Sequence, residues 1–387
     1  MPAIGFGQNV TGGGDQPANT LVVTSPGNTG AGTLAQAITD ANAYTTRSQR
    51  HPPQEIVIRL PAGTTAITSN TTVLTVTARN LTIRAEGGAV IDGNHLVFDC
   101  RSADNVILRD LRFTHAGDDG DPRDCITIDG LRGRHGVGFW IDHCSFGAYP
   151  DMCVVTNTKD LRNAPPLLIT VSECRFYDFD PSGPTSDCHG ALGIHGSDKD
   201  RTTNRPIDPD QNTNAYATVC RNMFCQVRRR SPRTSHRTVV HAFNNVLLDW
   251  GTDTLTAEQQ NGMESGNDGI LVAQANYFQA NVLNEAIEVA GGRQPARLTV
   301  PATGTSAANV YRGGADTAVS VGSAISLDNK YRKVLGRTAT PPVPGTMDDT
   351  LRDAIIAAAG PTTAAPAGHT EPACPIRADT SMMTTTR

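Results

Sequence analysis

The chain has 387 residues, with 33 Lys and Arg against 38 Asp and Glu, for a net charge of -5 at pH 7. That length allows one large domain or two ordinary ones, and the lack of any run of eighteen apolar residues excludes a membrane-spanning helix. Abundant Gly (37) and Pro (24), with Thr, Val and Asn recurring throughout, favour strands and turns over helices.

Residues 1–20 are Gly-rich and polar and read as an extended entry segment. They have no basic n-region and no apolar h-region, so they do not form a secretory signal peptide. Leu21 to Thr24 reads as a short strand. Leu34, Ala37, Ile38 and Ala41 then fall at helical spacing, with Thr33 as N-cap. From Glu55 the pattern changes to short apolar segments between polar turns, among them Ile56-Val57-Ile58, Val106-Ile107-Leu108, Ile126-Thr127-Ile128, Leu168 to Val171 and Val239 to Phe243. No helices alternate with them, which excludes a doubly wound α/β sheet.

These strands carry a weak repeat. The segments ending at Phe113, Phe146, Phe176, Phe224, Leu247 and Phe278 superpose, and the position two before each is small or amide-bearing: Leu111, Cys144, Cys174, Asn222, Asn245 and Asn276. Stacked rungs of roughly 20 to 25 residues, some carrying insertions, explain both features, through a continuous apolar core and a ladder of amide hydrogen bonds. A β-sandwich predicts hairpin turns instead, yet the single Asn-Gly pair, Asn261-Gly262, falls outside the strand-rich region. The expected fold is all-β, a right-handed parallel β-helix over 1–335 with a short N-terminal capping helix and side loops at 198–213 and 252–268. A C-terminal wrap with an amphipathic helix from Met347 to Ala359 follows over 336–360, and 361–387 reads as a mobile tail.

The nine Cys include no CxxC pair, which argues against a zinc ribbon or a thioredoxin-like site. Most sit in apolar strands, where a buried free thiol is the usual state. A local reversal of charge stands out between Arg228 and His241, where Arg228, Arg229, Arg230, Arg233 and Arg237 accompany His236 and His241. The planar guanidinium fork suits carboxylates, so an acidic ligand is the natural partner. No aromatic residues interleave with the arginines, which disfavours nucleic acid. On an extended strand Arg228 and Arg230 share one face, and Arg233, just after Pro232, is best placed to grip a carboxylate.

The segment Val137 to Phe146, with Trp140-Ile141-Asp142-His143-Cys144-Ser145-Phe146 at its heart, resembles the signature of family 1 polysaccharide lyases, the pectate and pectin lyases. Ile4 to Gly7, Thr11-Gly12-Gly13, Gly32-Thr33-Leu34 and Asn105 to Leu111 are similar to other parts of that family. So is the run from Arg230-Ser231-Pro232 to Asn244-Asn245, and the likeness covers roughly residues 4 to 285 in the family's order.

The resemblance implies β-elimination on an acidic polysaccharide, polygalacturonate first among candidates, with Arg230 at the proton in transit. It implies Arg228, Arg233, Arg237 and His189 as substrate-binding residues, and Ca2+ held by Asp124 and Asp151. The protein would be secreted and monomeric, with no membrane or nucleic-acid partner. Departures from the pattern are Val155 and Pro122, where further acids are expected, and Ser235, where a second Arg is expected. His143 reads as a structural hydrogen-bonding residue, and Asp142 reads either as structural or as part of the chemistry. The alternatives are a β-helix glycoside hydrolase, which needs paired carboxylates such as Asp198 and Asp200, and a non-catalytic carbohydrate-binding β-helix.

Overall fold

The computed structural model describes residues 3–47, 52–62, 64, 66–68, 73–93, 95–114, 124–129, 138–147, 152–158, 165–177, 190–196, 213–227, 229–250, 261–289, 297–301, 305–316 and 326–365. Among them every strand pairing is parallel, and each strand pairs with its counterparts one turn earlier and later. The chain therefore winds as a right-handed parallel β-helix with three faces.

The first face stacks ten strands from Asn19–Val23 through Gln54–Ile58, Asp104–Arg109, Phe139–Asp142 and Thr238–Phe243 to Arg297–Thr299. A short turn leads from it to the second face, which includes Arg112–Thr114, Ser145–Gly147, Arg175–Tyr177, Met223–Cys225 and Val246–Leu248. The third face runs Val73–Val76, His95–Asp99, Ile126–Asp129, Met152–Thr158, Gly190–Gly196, Arg233–Ser235 and Asn261–Ser265. The long strand Tyr277–Val289 pairs with both the second and third faces and joins them into one sheet.

The repeat seen in the sequence is the core. Phe113, Phe146, Phe176 and Phe224 form one column, with ring centroids 5.2, 5.0 and 4.8 Å apart and planes within 12° of parallel. Those separations match the distance between neighbouring strands, so equivalent positions on successive rungs stack by construction. Beside this column runs the amide ladder. Asn222, Asn245 and Asn276 each donate their backbone N–H and their side-chain amide to the next Asn's Oδ1, and the ladder continues to Asn309, beyond the expected repeat. Earlier rungs replace the amide with Cys144 and Cys174, whose thiols donate to backbone carbonyls. Each repeat position from Leu111 to Asn276 follows a corner residue with left-handed φ: Asp110, His143, Glu173, Arg221, Asn244 and Ala275. None of the six is glycine, so each corner stores modest strain that the stacked hydrogen bonds offset.

The Trp140-Ile141-Asp142-His143 segment belongs to this scaffold, as expected for His143, and Asp142, open to either reading, also joins it. Asp142 accepts from Arg109 Nε (3.0 Å) and Ser172 Oγ (2.8 Å) and pairs with His143 Nδ1 (3.0 Å). Ser172 in turn accepts from Trp140 Nε1 (2.8 Å), and the Arg109 guanidinium lies over the Trp140 ring at 4.5 Å. The hydrogen bond to Asp142 raises the His143 pKa above its ordinary value. These groups knit three rungs of the first face together at a corner.

Two faces are covered. The segment from Phe6 to Gly13 crosses the first face against rung direction. Its backbone N–H groups donate in turn to Thr218 Oγ1, Thr170 Oγ1, Asn105 Oδ1 and Thr82 Oγ1. The first helix, α1 (Leu34–Arg47), is longer than expected and is capped by Thr33, whose Oγ1 accepts from Gln36 N. A second helix, α2 (Leu327–Leu335), has no counterpart in the sequence reading and buries Tyr331 against Phe6 on the first face. The expected C-terminal helix is α3 (Asp349–Ala358), capped by Asp348. From it the chain runs back along the second face, with Gly360 N donating to Glu173 O, Thr362 donating to Asp110 and Arg112 donating to Thr363. No described helix is long and apolar enough to cross a membrane. The six described thiols at Cys100, Cys125, Cys144, Cys153, Cys174 and Cys220 are free and buried, as expected. Cys225 is disulfide-bonded to a residue outside the described set.

His241 sits fully buried beneath α2. Its Nε2–H donates to Gln274 Oε1 (2.8 Å) and its Nδ1 accepts from the Tyr331 hydroxyl (3.2 Å), which itself accepts from Thr218. Burial holds its pKa down at about 4, so the folded protein keeps a neutral imidazole that the unfolded chain protonates near 6.5. A depressed folded value contributes stability that is present above pH 6.5 and lost as pH falls toward 4. Wild-type stability is expected to drop by ~3 kcal/mol more than that of His241→Gln between pH 7 and pH 4. Parallel urea titrations across that range check this, and equal pH slopes in the two proteins would contradict it.

Candidate active site on the third face

With the first face under Phe6 to Gly13 and α2, and the second under α3 and the chain after it, the third face is the one the described residues leave uncovered. Its outward side chains fall into registered rows. One row runs Thr127, Val155, Gly193, Arg233, Glu264 and Glu288, and the positions two residues further on include Asp129, His195 and Ser235. Along the first row the character changes from neutral and apolar to strongly charged.

Arg230 and Arg233 stand at the charged end. Arg233 opens a three-residue strand, while Arg229 to Pro232 lie before it and are not part of it. Arg230 has φ +60°, so the expectation that this run is extended, with its arginines alternating between faces, does not hold. A bulky residue held in the left-handed region costs of order 1 kcal/mol, and such strain concentrates at functional positions. Gly190 on the preceding rung makes the path possible. A Cβ there would lie 1.9 Å from the Arg229 carbonyl oxygen and 2.8 Å from Arg230 Cβ.

Both arginines meet Glu264, a residue the sequence reading passed over. Glu264 Oε1 lies 2.9 Å from Arg233 Nε and Oε2 lies 3.6 Å from Arg230 Nε, with the Glu264 side chain only 5% exposed. It belongs to the strand Asn261–Ser265, so the expected side loop at 252–268 ends in a rung, and Asn261-Gly262 lies within that strand. Asn261 pairs its side-chain amide with Glu288 on the next rung.

The other expected site residues divide. Asp124 leads into Ile126–Asp129, three rungs before Arg230, which places their backbones roughly 14 Å apart along the axis. Its Oδ2 accepts from Thr127 Oγ1 (3.0 Å), which also contacts His95 Nε2 (2.8 Å). Arg237 is not on the open face. It is buried at the corner between the third and first faces, its N–H donating to Asp268 Oδ1 (3.0 Å) and its guanidinium to Asn214 Oδ1 (3.2 Å). Ser235, in place of the second Arg, is fully buried and bonded to His195 Nδ1 (2.9 Å). Asp151, His189 and Arg228 lie outside the described residues.

Calcium takes six to eight oxygen ligands, mostly carboxylates and carbonyls. The positions that register with Asp124 on the next two rungs are Met152 and Gly190, and Val155 and Gly193 stack over Thr127, none of the four with an oxygen-bearing side chain. Among the described residues no group of three His, Cys, Asp or Glu could hold a metal ion. The described residues therefore do not by themselves fit a calcium cage.

A three-faced parallel solenoid with its Trp140–Phe146 segment built into the scaffold is the fold of the solved pectate lyases this chain superposes on. The pectate lyase family profile matches residues 3–293, and the chain belongs to that family. It is 24% identical over 217 residues to a pectin lyase of Pectobacterium carotovorum, an alignment spanning 53% of this chain and 60% of that relative's length. Among solved structures, a pectate lyase from Bacillus sp. N165 in complex with trigalacturonate superposes with TM-score 0.60 at 17% identity, covering 92% of this chain and 98% of that one. Jun a 1, the major allergen of cedar pollen, superposes with TM-score 0.56 at 19% identity over 93% of each chain. At these identities the structural likeness speaks to fold.

Proposed function

We propose that the protein is a lyase that cleaves a 4-linked polyuronate by β-elimination, with polygalacturonate the first substrate to test. The observation that carries this reading is the Arg230–Arg233 pair, held by neighbouring rungs on the open face of a pectate lyase fold. In such a reaction Arg230, as the base of the family's pattern, takes the C5 proton and hands its own to solvent, and charge builds on the adjoining carboxyl group. The C4–O bond breaks as the C4–C5 double bond forms, the departing oxygen taking a proton from solvent. Fixed guanidinium groups stabilise that charge where it develops. Arg230 takes this role and sits beside the proton in transit. Arg233 orients the sugar's carboxyl group, and the Met152–Val155 surface receives the ring next to it. An extracellular, monomeric enzyme acting on soluble or wall-bound polymer fits this role.

Calcium dependence is a separate question, because its ligands would have to come from Asp124 together with Asp151 or from the substrate itself. The test is incubation with polygalacturonate, its methyl-esterified form and alginate, each with a calcium titration and with chelator. A rising unsaturated-uronate absorbance is expected. Saturated ends would assign the protein to hydrolysis instead, and binding without chain shortening would assign it to recognition alone.

A further inference from the structure

We propose that Glu264 is a specificity-determining residue: a built-in counter-ion that occupies the place of a substrate carboxylate at Arg233 and Arg230, so that the reacting sugar is preferred with its carboxyl group uncharged, as an ester or amide. This deepens the lyase reading of the same site and rests on it.

Three features of the row support the assignment. The first is charge. Two guanidinium groups face one carboxylate that is almost wholly buried, so Glu264 offsets one unit of the positive charge these two arginines offer. A second anion entering here must share those cations with Glu264, and Glu288 stands directly behind it on the next rung. In a site of low effective dielectric, like charges a few ångströms apart repel strongly.

The second feature is geometry. A carboxylate clamped structurally by Arg takes two parallel, directed hydrogen bonds. Here Glu264 Oε2 accepts no hydrogen bond, and the close Arg233 Nε contact is not a directed one. Glu264 thus neutralises Arg233 without tying up its fork, and the guanidinium keeps its donor edge for a ligand's carbonyl oxygen.

The third feature is the surface next to Arg233 on the opposite side from Glu264. Gly193 is its registered neighbour and Val155 follows in the same row, with the Met152 side chain reaching in beside Gly193, both largely buried and apolar. A Cβ on Gly193 would come within 2.6 Å of Met152 Sδ and 2.5 Å of His195 Nε2, so the glycine keeps this floor low. An alkyl ester group has the apolar side chains of Val155 and Met152 to rest on there, whereas a hydrated carboxylate would have to give up water over the same surface.

The test is calorimetric titration of the wild type, Glu264→Gln and Glu264→Asp with trigalacturonate and with its fully methyl-esterified form. Glu264→Gln keeps the shape and removes the charge, so trigalacturonate is expected to bind about tenfold more tightly, and the ester within about threefold of its wild-type affinity. Glu264→Asp, which restores the charge, should return acid binding toward the wild-type value. Equal weakening of both ligands by Glu264→Gln would make Glu264 a mere support for the arginines and overturn the proposal. Unchanged binding of both, or no binding of either ligand by any of the three proteins, would overturn it too. Product formation is read separately on each polymer. Acid-selective tightening without any unsaturated product would remove the lyase reading and leave the role of Glu264 standing.

Discussion

Asn245→Ala is expected to lower folding stability by about 4 kcal/mol, with the denaturant m-value unchanged. The side chain is fully buried and makes four hydrogen bonds. Its Oδ1 accepts from Asn222 N (3.1 Å) and Asn222 Nδ2 (3.0 Å), while its Nδ2 donates to Val219 O (2.8 Å) and Asn276 Oδ1 (2.9 Å). Truncation removes these partners from two donors and two acceptors where water does not reach. An orphaned buried donor costs roughly 1–3 kcal/mol, and neighbouring bonds in a polarised chain weaken with it. The effect should exceed that of a simple cavity the size of an amide, because the ladder runs from the Cys174 backbone to Asn309 without interruption. Urea denaturation measures the loss, and a change under about 1.5 kcal/mol would mean that the rungs hold together without the ladder.

The same ladder explains which parts of the structure could be read from the chain. Phe113, Phe146, Phe176 and Phe224 recur at one position because a solenoid stacks equivalent residues, so the register was visible despite unequal spacings. Asn309-Val310-Tyr311 continues the pattern, and Tyr311 stacks on Phe278 at 5.3 Å. It lies 33 residues after Phe278, the same spacing as from Phe113 to Phe146, with a Tyr where the other rungs carry Phe or Leu.

The segment most diagnostic of family, Trp140 to Phe146, proves to be scaffold. Asp142 alone joins Arg109, His143 and Ser172, which constrains the residue types of three rungs at once. Site chemistry was harder to read. Glu264 sits in a five-residue strand with one large apolar side chain, Met263, and that is too short a run to show alternation. Arg237 follows the active-face arginines in sequence, yet the corner turns it inward to Asn214. Sequence order cannot show that turn, because it depends on the left-handed backbone at His236 and Arg237.

If the lyase reading holds, Arg230→Ala should lower kcat on the best polyuronate by about 10³-fold, in line with removing a charge-stabilising donor from a preorganised site. KM should change far less, because Arg233 continues to hold the carboxyl group. Folding should suffer modestly, since Glu264 keeps Arg233 as its close counter-ion at 2.9 Å and loses only the looser 3.6 Å pairing. Arg230→Lys separates charge from shape. It keeps a cation beside Glu264 but replaces a rigid planar fork with a flexible ammonium, and about 10² in kcat should still be lost. The left-handed backbone at Arg230, and the glycine at 190 that makes room for it, fix where the guanidinium emerges. A side chain of different reach therefore cannot recover the position by shifting its backbone. Initial rates with purified variants, together with unfolding midpoints, decide the matter. Full activity in Arg230→Ala would move the chemistry elsewhere on the open face.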